Sequence, residues 1–562
     1  MQRLVLAAWF VAAAVAAGAA PEKPATGPLG NDVPIRGWTL LSESEPDALA
    51  TIAAAPSYGI NHLELSHLLV HDLREIKDPA KLARVNRLTD AAHAAGIQEV
   101  VLWDHALYAL DYYPAEFRTG PGNTVDLDNP AFWEWLKADY RKMLDLVPKA
   151  DGLVLTFIET GGRAERQHST KLTTNAQKLA AVVNAVADVV IGERKLNLYA
   201  RTFSYNHAEY ENVIGAIKLL TRPEVRLMMK ETPHDFFLTH PNDFYAGQIP
   251  RLTIIEFDAT GEFHGQNITA VTWPEYLLRR WRDFERRPHV VGYTARADRY
   301  GDTRLVGTPG EINLLALKRG VEDAQVTAEQ VYDEFIVARY GEKAAAEVKA
   351  AFKNAYDIAS SVFYTLGTNV ANHTELNYDP SAASYVLHVS GKWMDPPIGY
   401  VGHGVGREFH YWRDIIDHIA PPFLKDQSAR QWNQVPWVVE NKWVRPGEGM
   451  TEEYLRYILT EKEYGVARAE DSVRHIENAR EALKPADYER LRHHFQHTLL
   501  TARLHRAASA AYFGFRVWCR GGEHQSPYVR DTVQDGLERM KAVGAEIRAY
   551  PCLLYTSPSP RD

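Results

Sequence analysis

The sequence predicts an α/β protein, a (β/α)8 TIM barrel followed by a mainly α-helical C-terminal domain. Three observations predict it. Eight short apolar runs lie between residues 35 and 300, helix-patterned segments separate them, and beyond about residue 325 the strand pattern stops while apolar residues continue at helical spacing. Eight such units count out a closed barrel, where an open doubly wound sheet usually has fewer.

The elements follow in chain order. Met1, Gln2 and Arg3 precede LVLAAWFVAAAVAAGAA, a short basic start and an apolar run ending in small residues. That is the pattern of a secretory signal peptide, expected over 1–20, with a Pro/Gly-rich linker over 21–34. The run is too short and Ala-rich for a membrane span, which needs roughly 20 apolar residues, and no other stretch approaches that. Export to the periplasm or the outside is the expectation. The barrel is expected over 35–325, with strands at 35–42, 60–66, 98–104, 151–159, 195–203, 224–231, 252–258 and 289–298. Thr174 and Gln177 form a capping box that opens the fourth helix, since hydroxyl and amide satisfy each other's backbone donors. The run Gly307-Thr308-Pro309-Gly310-Glu311 opens the eighth, with Pro309 expected at the first helical position, where a missing N–H costs nothing.

Segments such as TAEQVYDEFIVARYG place the helical domain over 326–551. A loop-rich aromatic stretch, 368–412, is longer than a plain connection and is expected to pack over the barrel mouth or to cover the domain junction. The last residues, CLLYTSPSPRD, break from the helical pattern and read as a non-native tail over 552–562.

Composition narrows the function classes. A net charge of -9 supplies no basic field for nucleic acid or an anionic membrane. Two cysteines, Cys519 and Cys552, exclude a disulfide-dense scaffold and a Cys-based metal cage. His207, His234, His240 and His264 lack HExxH or His-x-His spacing, so no metal and no cofactor is expected. GHGVGREF lacks the GKS/T of a phosphate loop, and no GxSxG nucleophile turn is present.

A TIM barrel carries its chemistry at the C-terminal ends of its strands. Those ends hold Glu64, Trp103, Asp104, His105, Glu159, Arg201, Lys230, His234, Asp235, Asp258, Glu262, Arg296 and Asp298. Carboxylates dominate. Glycosidic hydrolysis needs one protonated acid for the leaving oxygen and one carboxylate to attack or to activate water, which such a rim can supply. Trp38, Trp103, Tyr108, Tyr112 and Tyr113 offer faces that could stack on sugar rings. Glu256, inside the seventh strand, can either line the pocket or serve the barrel interior.

Four segments in order, GLVLTFIETGG, LYARTFSY, MMKETPHDF and IEFDATGEFHGQ, resemble the α-glucuronidases of glycoside hydrolase family 67. The resemblance implies Glu159 as general acid, Arg201 and Lys230 as binders of a uronate carboxylate, and Asp235 and Glu262 as the acids that handle the attacking water. It also implies homodimerisation through the helical domain. Trp103, Asp104, His105, His234 and Arg296 complete the expected substrate-binding set. Two departures matter. Leu155 stands where that family has a lysine, and the family's N-terminal accessory domain is absent. The expected function is an exported, inverting exo-α-glycosidase acting on uronic-acid-containing plant or algal polysaccharide fragments. The alternatives are a retaining glycosidase on a neutral sugar using Glu159 and Glu262, and a non-catalytic glycan-binding barrel.

Overall fold

The computed structural model describes residues 26–204, 207–232, 236, 238, 242–243, 245–299, 303–365, 368–369, 438–439, 442–443 and 451–550. Its centre is a closed barrel of parallel strands: β1 Ile35–Leu40, β2 His62–Leu65, β3 Glu99–His105, β4 Gly152–Thr156, β5 Asn197–Arg201, β6 Arg226–Lys230, β7 Thr253–Phe257 and β8 Val290–Arg296. Each starts one or two residues inside its predicted run, except β1, which starts with it, and β3 runs one residue further, to His105. The fourth ends at Thr156, short of the predicted 159, because the chain turns at once and Thr160 N–H bonds the Ile158 carbonyl.

The strands form because apolar and β-branched residues can be buried on both faces of a parallel sheet. Outward residues such as Leu102, Leu153, Leu198, Leu227 and Ile255 join the core under the helices. Inward residues alternate with them, and Leu29, Ile35, Val101, Trp103, Val154, Tyr199, Met228 and Ile254 fill the barrel with a separate cluster. That filling is not wholly apolar. His62 lies between Glu64 (3.1 Å) and Glu99 (2.6 Å), all three fully buried. Burial opposes its charge, but hydrogen bonds to Glu64 and Glu99 outweigh it and raise the imidazole to about 9.

The outer helices are α1 Glu45–Ala54, α2 Pro79–Ala94, α3 Pro130–Leu146, α4 Asn175–Ala187, α5 His207–Lys218, α6 Pro274–Phe284 and α7 Glu311–Glu322. The capping box at Thr174 and Gln177 is formed as the spacing predicts. Pro309 is a correction: α7 begins at Glu311 with Gly310 as N-cap. The chain enters it through 308→311, 309→312 and 310→313 backbone bonds, a tight turn that precedes the α ladder.

After the barrel come α8 Ala328–Tyr340, α9 Glu342–Lys353 and α10 Ala355–Val362, then α11 Glu452–Asn478, α12 Pro485–Trp518 and α13 Pro527–Ala549. One cluster unites Ala270, Leu278 and Ile312 of the barrel with Val331, Phe352, Ile476 and Phe495 of these helices, so the two halves share a core. The loop-rich stretch 368–412 lies outside the described residues apart from 368–369. No described helix is long and apolar enough to cross a membrane.

Candidate active site

Strand register decides which side chains meet at the barrel mouth. His105 pairs in register with Thr156 and Thr156 with Arg201; Lys230 pairs with Glu256 and Glu256 with Thr294; Thr39 pairs with both Arg296 and Glu64. These inward residues form the upper layer, and it is charged.

Glu256 is its centre. Fully buried, it accepts from Arg201 Nε (2.7 Å) and Nη2 (3.3 Å) on one side and from Arg296 Nε (3.0 Å) on the other. Burial pushes this carboxyl up, yet Arg201, Arg296 and Lys230 outweigh it and hold it at about 2, so Glu256 stays ionised. Each arginine then reaches a second carboxylate. Arg201 Nη1 lies 3.5 Å from Glu159 Oε2, and Arg296 Nη1 bonds Glu262 Oε2. Arg299 Nε bonds the other oxygen of Glu262 at 2.8 Å. Glu159 and Glu262, 103 residues apart by number, are thereby joined through two guanidinium groups and one buried carboxylate. Glu159 is partly open, its side chain 32% exposed, whereas Glu262 is 5% exposed.

The neighbouring rings hold the cations in place. The Arg201 guanidinium lies 4.6 Å from the Trp103 ring, Lys230 Nζ lies 4.1 Å from Phe203 and 4.2 Å from Phe236, and Arg296 lies 4.5 Å from Phe236. Among the described residues of this network, the cations Arg201, Lys230, Arg296 and Arg299 meet the carboxylates Glu159, Glu256 and Glu262.

The loop after β7 positions Glu262. Asp258 accepts from the backbone N–H groups of Thr260 (3.1 Å), Gly261 (3.0 Å) and Glu262 (2.5 Å), folding the chain back so that Glu262 faces Arg296. Burial, helped by the charge of Glu262, raises Asp258 to about 6. Gly261, at φ 72°, packs where a Cβ would come within 2.9 Å of Val271 and 3.1 Å of Trp273.

Several expected contacts are corrected. Asp104 points outward from β3, away from the mouth, where its oxygens accept from Leu73 N–H (3.0 Å), Tyr108 (2.8 Å) and Tyr140. It anchors α3 and the loop before α2. Trp103 is fully buried; its indole N–H goes to Glu64 (2.9 Å) and one face is taken by Arg201. Trp38, Tyr108 and Tyr113 are likewise buried in the core, so none of them presents a face for stacking. His105 is 2% exposed, bonds the His71 carbonyl through Nδ1, and is covered by the His71 ring, stacked at 4.0 Å. His234 and Asp235 lie outside the described residues, as does His240; of His207 only the backbone is described. His264 is accounted for by Tyr364 (3.0 Å) and Trp273.

Two residues above these buried rings were missed. His71 is half exposed, and His67 is partly exposed, its ring 5.1 Å from that of Trp103. His67 adopts φ 48°, left-handed backbone that is costly for a residue with a Cβ and that marks functional positions. Burial, together with the charges of Arg299, Arg296, His105 and Arg201, keeps its imidazole neutral, and its Nδ1 is held by Ser66 Oγ at 2.5 Å. A single histidine after a strand carries no pattern in the sequence; backbone strain and the surrounding cations reveal it.

The described residues that bring metal-ligand atoms together are Asp126, Asp128 and His168, within 4.8 Å of one another. Asp128 there accepts from Ser169, Thr170 and Lys171, the bonds of a locked turn.

No family model matches the chain, and no curated protein matches it. Solved structures do. A family 138 glycoside hydrolase targeting pectin rhamnogalacturonan II aligns with a TM-score of 0.53 at 11% identity, over 91% of this chain and 62% of that one. An O-GlcNAc hydrolase mutant of Thermobaculum terrenum aligns at 0.43 and 10% identity, over 92% of this chain and 96% of that one. A family 115 4-O-methyl-α-glucuronidase with specificity for decorated arabinogalactans aligns at 0.44 and 9% identity, over 90% and 58%. The chain thus spans under two thirds of the length of the family 138 enzyme, and what the two share is the fold: a barrel of the kind glycoside hydrolases use, extended here by a helical half.

Proposed function

We propose that the chain is a glycoside hydrolase, an exported α-glucuronidase-like enzyme that releases a uronic acid from plant or algal polysaccharide fragments. The observation that carries this reading is the arginine-linked pair Glu159 and Glu262 at the barrel mouth. Hydrolysis of a glycosidic bond asks for two carboxyl groups facing one sugar, and acids in the loops that follow the fourth and seventh strands meet that requirement.

In this mechanism Glu159, the more open of the two, protonates the leaving oxygen. Glu262, with Asp235, orients and deprotonates a water on the opposite face of the ring. Arg201, Lys230 and Arg296 recognise the carboxylate of the sugar, the guanidinium fork suiting its planar geometry. Arg201 Nη1, which makes no hydrogen bond among the described residues and lies 3.5 Å from Glu159, is the guanidinium donor that would turn from that carboxylate to the sugar's. His67 and His71 take the contacts first expected of Trp103 and His105. The family 138 protein is described as targeting pectin rhamnogalacturonan II, and a polysaccharide-derived substrate is in keeping with that description.

The test is a panel of aryl and oligosaccharide glycosides, uronic and neutral, with the product anomer followed by NMR. The expected outcome is turnover of an α-linked uronide with inversion, reduced about 10²- to 10⁴-fold in Glu159→Gln. Retention of configuration would remove the water-handling role of Asp235. Sugar binding without turnover of any glycoside, undiminished in Glu159→Gln, would replace the hydrolase by a glycan-binding barrel.

A further inference from the structure

We infer that Tyr364, supplied by the helical half, is a positioning residue for the loop that carries Glu262, which makes the helical half a working part of the site. The inference rests on the hydrolase reading above for its effect on activity, but its structural content stands apart from it.

Tyr364 follows α10 and is fully buried. Its hydroxyl accepts the backbone N–H of Leu238, in the segment after β6, at 2.7 Å, and bonds His264 Nδ1, in the loop after β7, at 3.0 Å. One oxygen from outside the barrel therefore ties together the segments that leave two adjacent strands. The bond to His264 acts two residues from Glu262. His264 in turn bonds the Gly261 carbonyl through its backbone N–H (2.9 Å) and packs edge-on against Trp273 at 5.6 Å. A phenol has a single proton; with Leu238 donating to the oxygen, that proton is directed to Nδ1 of an imidazole that burial keeps neutral.

The same loop is tied to the helical half at three further points. Ala270 N–H donates to Thr498 Oγ1 of α12 (2.9 Å), Thr272 Oγ1 donates to the Phe352 carbonyl of α9 (2.8 Å), and Tyr332 of α8 donates to the Thr272 carbonyl (3.1 Å). Those bonds hold the far end of the loop. Tyr364 holds the end beside Glu262, where a displacement of about 1 Å in a reacting group costs on the order of 10²-fold in rate.

The experiment uses the full chain with Tyr364→Phe, which keeps the ring and removes only the oxygen. With the best substrate of the glycoside panel, kcat falls about 10- to 100-fold while KM changes less than about threefold. Hydrogen exchange followed by mass spectrometry rises in 258–273 and stays unchanged in α11 and α12. The double variant with His264→Asn is no slower than the worse single, because both remove one interaction. Unchanged kcat with unchanged exchange, exchange raised uniformly across the helical half, or additive losses in the double variant would each overturn the inference. Should Tyr364→Phe not fold, His264→Asn removes the same bond from the loop side and is expected to raise exchange in 258–273 selectively; uniform or unchanged exchange there overturns it equally. A wild-type chain that turns over no glycoside sinks the hydrolase reading alone, since the exchange measurement still decides whether Tyr364 holds the loop.

Discussion

Glu256 shows how one side chain can organise a site without reacting in it. Held ionised between Arg201 and Arg296, it is neither a proton donor nor an acceptor at working pH. Glu256→Gln leaves two buried guanidinium groups facing a neutral amide, and breaking a buried pair of this kind costs about 3–5 kcal/mol. Chemical denaturation is expected to show a loss of that size, with activity lost in the fraction that still folds; stability within about 1 kcal/mol of wild type would contradict the account. His67 is the opposite case. His67→Gly removes an imidazole and relieves the cost of φ 48°, so stability is expected to change by less than about 1 kcal/mol while KM rises several-fold. A KM equal to wild type would remove His67 from the substrate contacts. Strand ends and spaced motifs point to Glu159, Arg201 and Glu262, and the structure brings these three into one ion-pair network. Asp104 and Trp103 were misread for one reason: proximity to a strand end was counted, but the direction of the side chain or its cover was not. Asp104 lies on the outward face of β3, and Trp103 lies beneath Arg201.

Among elements, the loop from Asp258 to Trp273 bears the most consequence. It is built from one carboxylate that collects successive backbone N–H groups and from glycines at φ 72° and 93°. Gly261→Ala forces a Cβ against Val271 and Trp273 in an unfavourable backbone region, and a loss of about 1–2 kcal/mol in thermal or chemical denaturation is expected, with activity reduced because Glu262 shifts. Thr174→Ala at the cap of α4 is the contrasting case: about 1 kcal/mol of stability lost and kcat unaltered. The strands and this cap were legible because apolar runs and Thr-x-x-Gln spacing act locally. Pro309 was not, since the tight turn over 308–313 depends on what the loop before it packs against, and the glycines at 261 and 265 carry no mark that separates a strained turn from an ordinary one.

At the scale of the whole chain, helical spacing marks a second domain after the barrel, and the structure ties that domain to the loop after β7. The ties from Thr498 to Ala270 and from Tyr364 to Leu238 span 228 and 126 residues, and no local pattern can announce such pairs. Charge burial inside the barrel also sets a pH dependence for the whole fold. His62 is raised to about 9, its opposed burial outweighed by Glu64 and Glu99, and burial raises Glu231 to about 8. Unfolded, these groups titrate at about 6.5 and 4.3, so between pH 6.5 and 8 the folded chain holds protons that the unfolded chain has shed. The stability contributed by these two groups therefore falls as pH rises through that window, while the buried, neutral His67, His105 and His264 contribute in the opposite sense near pH 6.5. Between pH 7 and 8 the thermal midpoint of the wild type is expected to fall relative to that of Glu231→Gln; equal slopes for the two proteins would contradict the protonated state assigned to Glu231.

In the function proposed above, the mouth formed by Arg201, Lys230, Arg296 and Glu159 receives an acidic sugar. Calorimetric titration of the Glu159→Gln protein with glucuronate and with glucose, in low salt at pH 6.5, tests it most directly. Glucuronate is expected to bind at least about tenfold tighter, the scale of one charge-assisted contact, and Arg296→Ala to abolish the difference; equal affinity for both sugars, or binding of neither, would rule out an acidic-sugar site here.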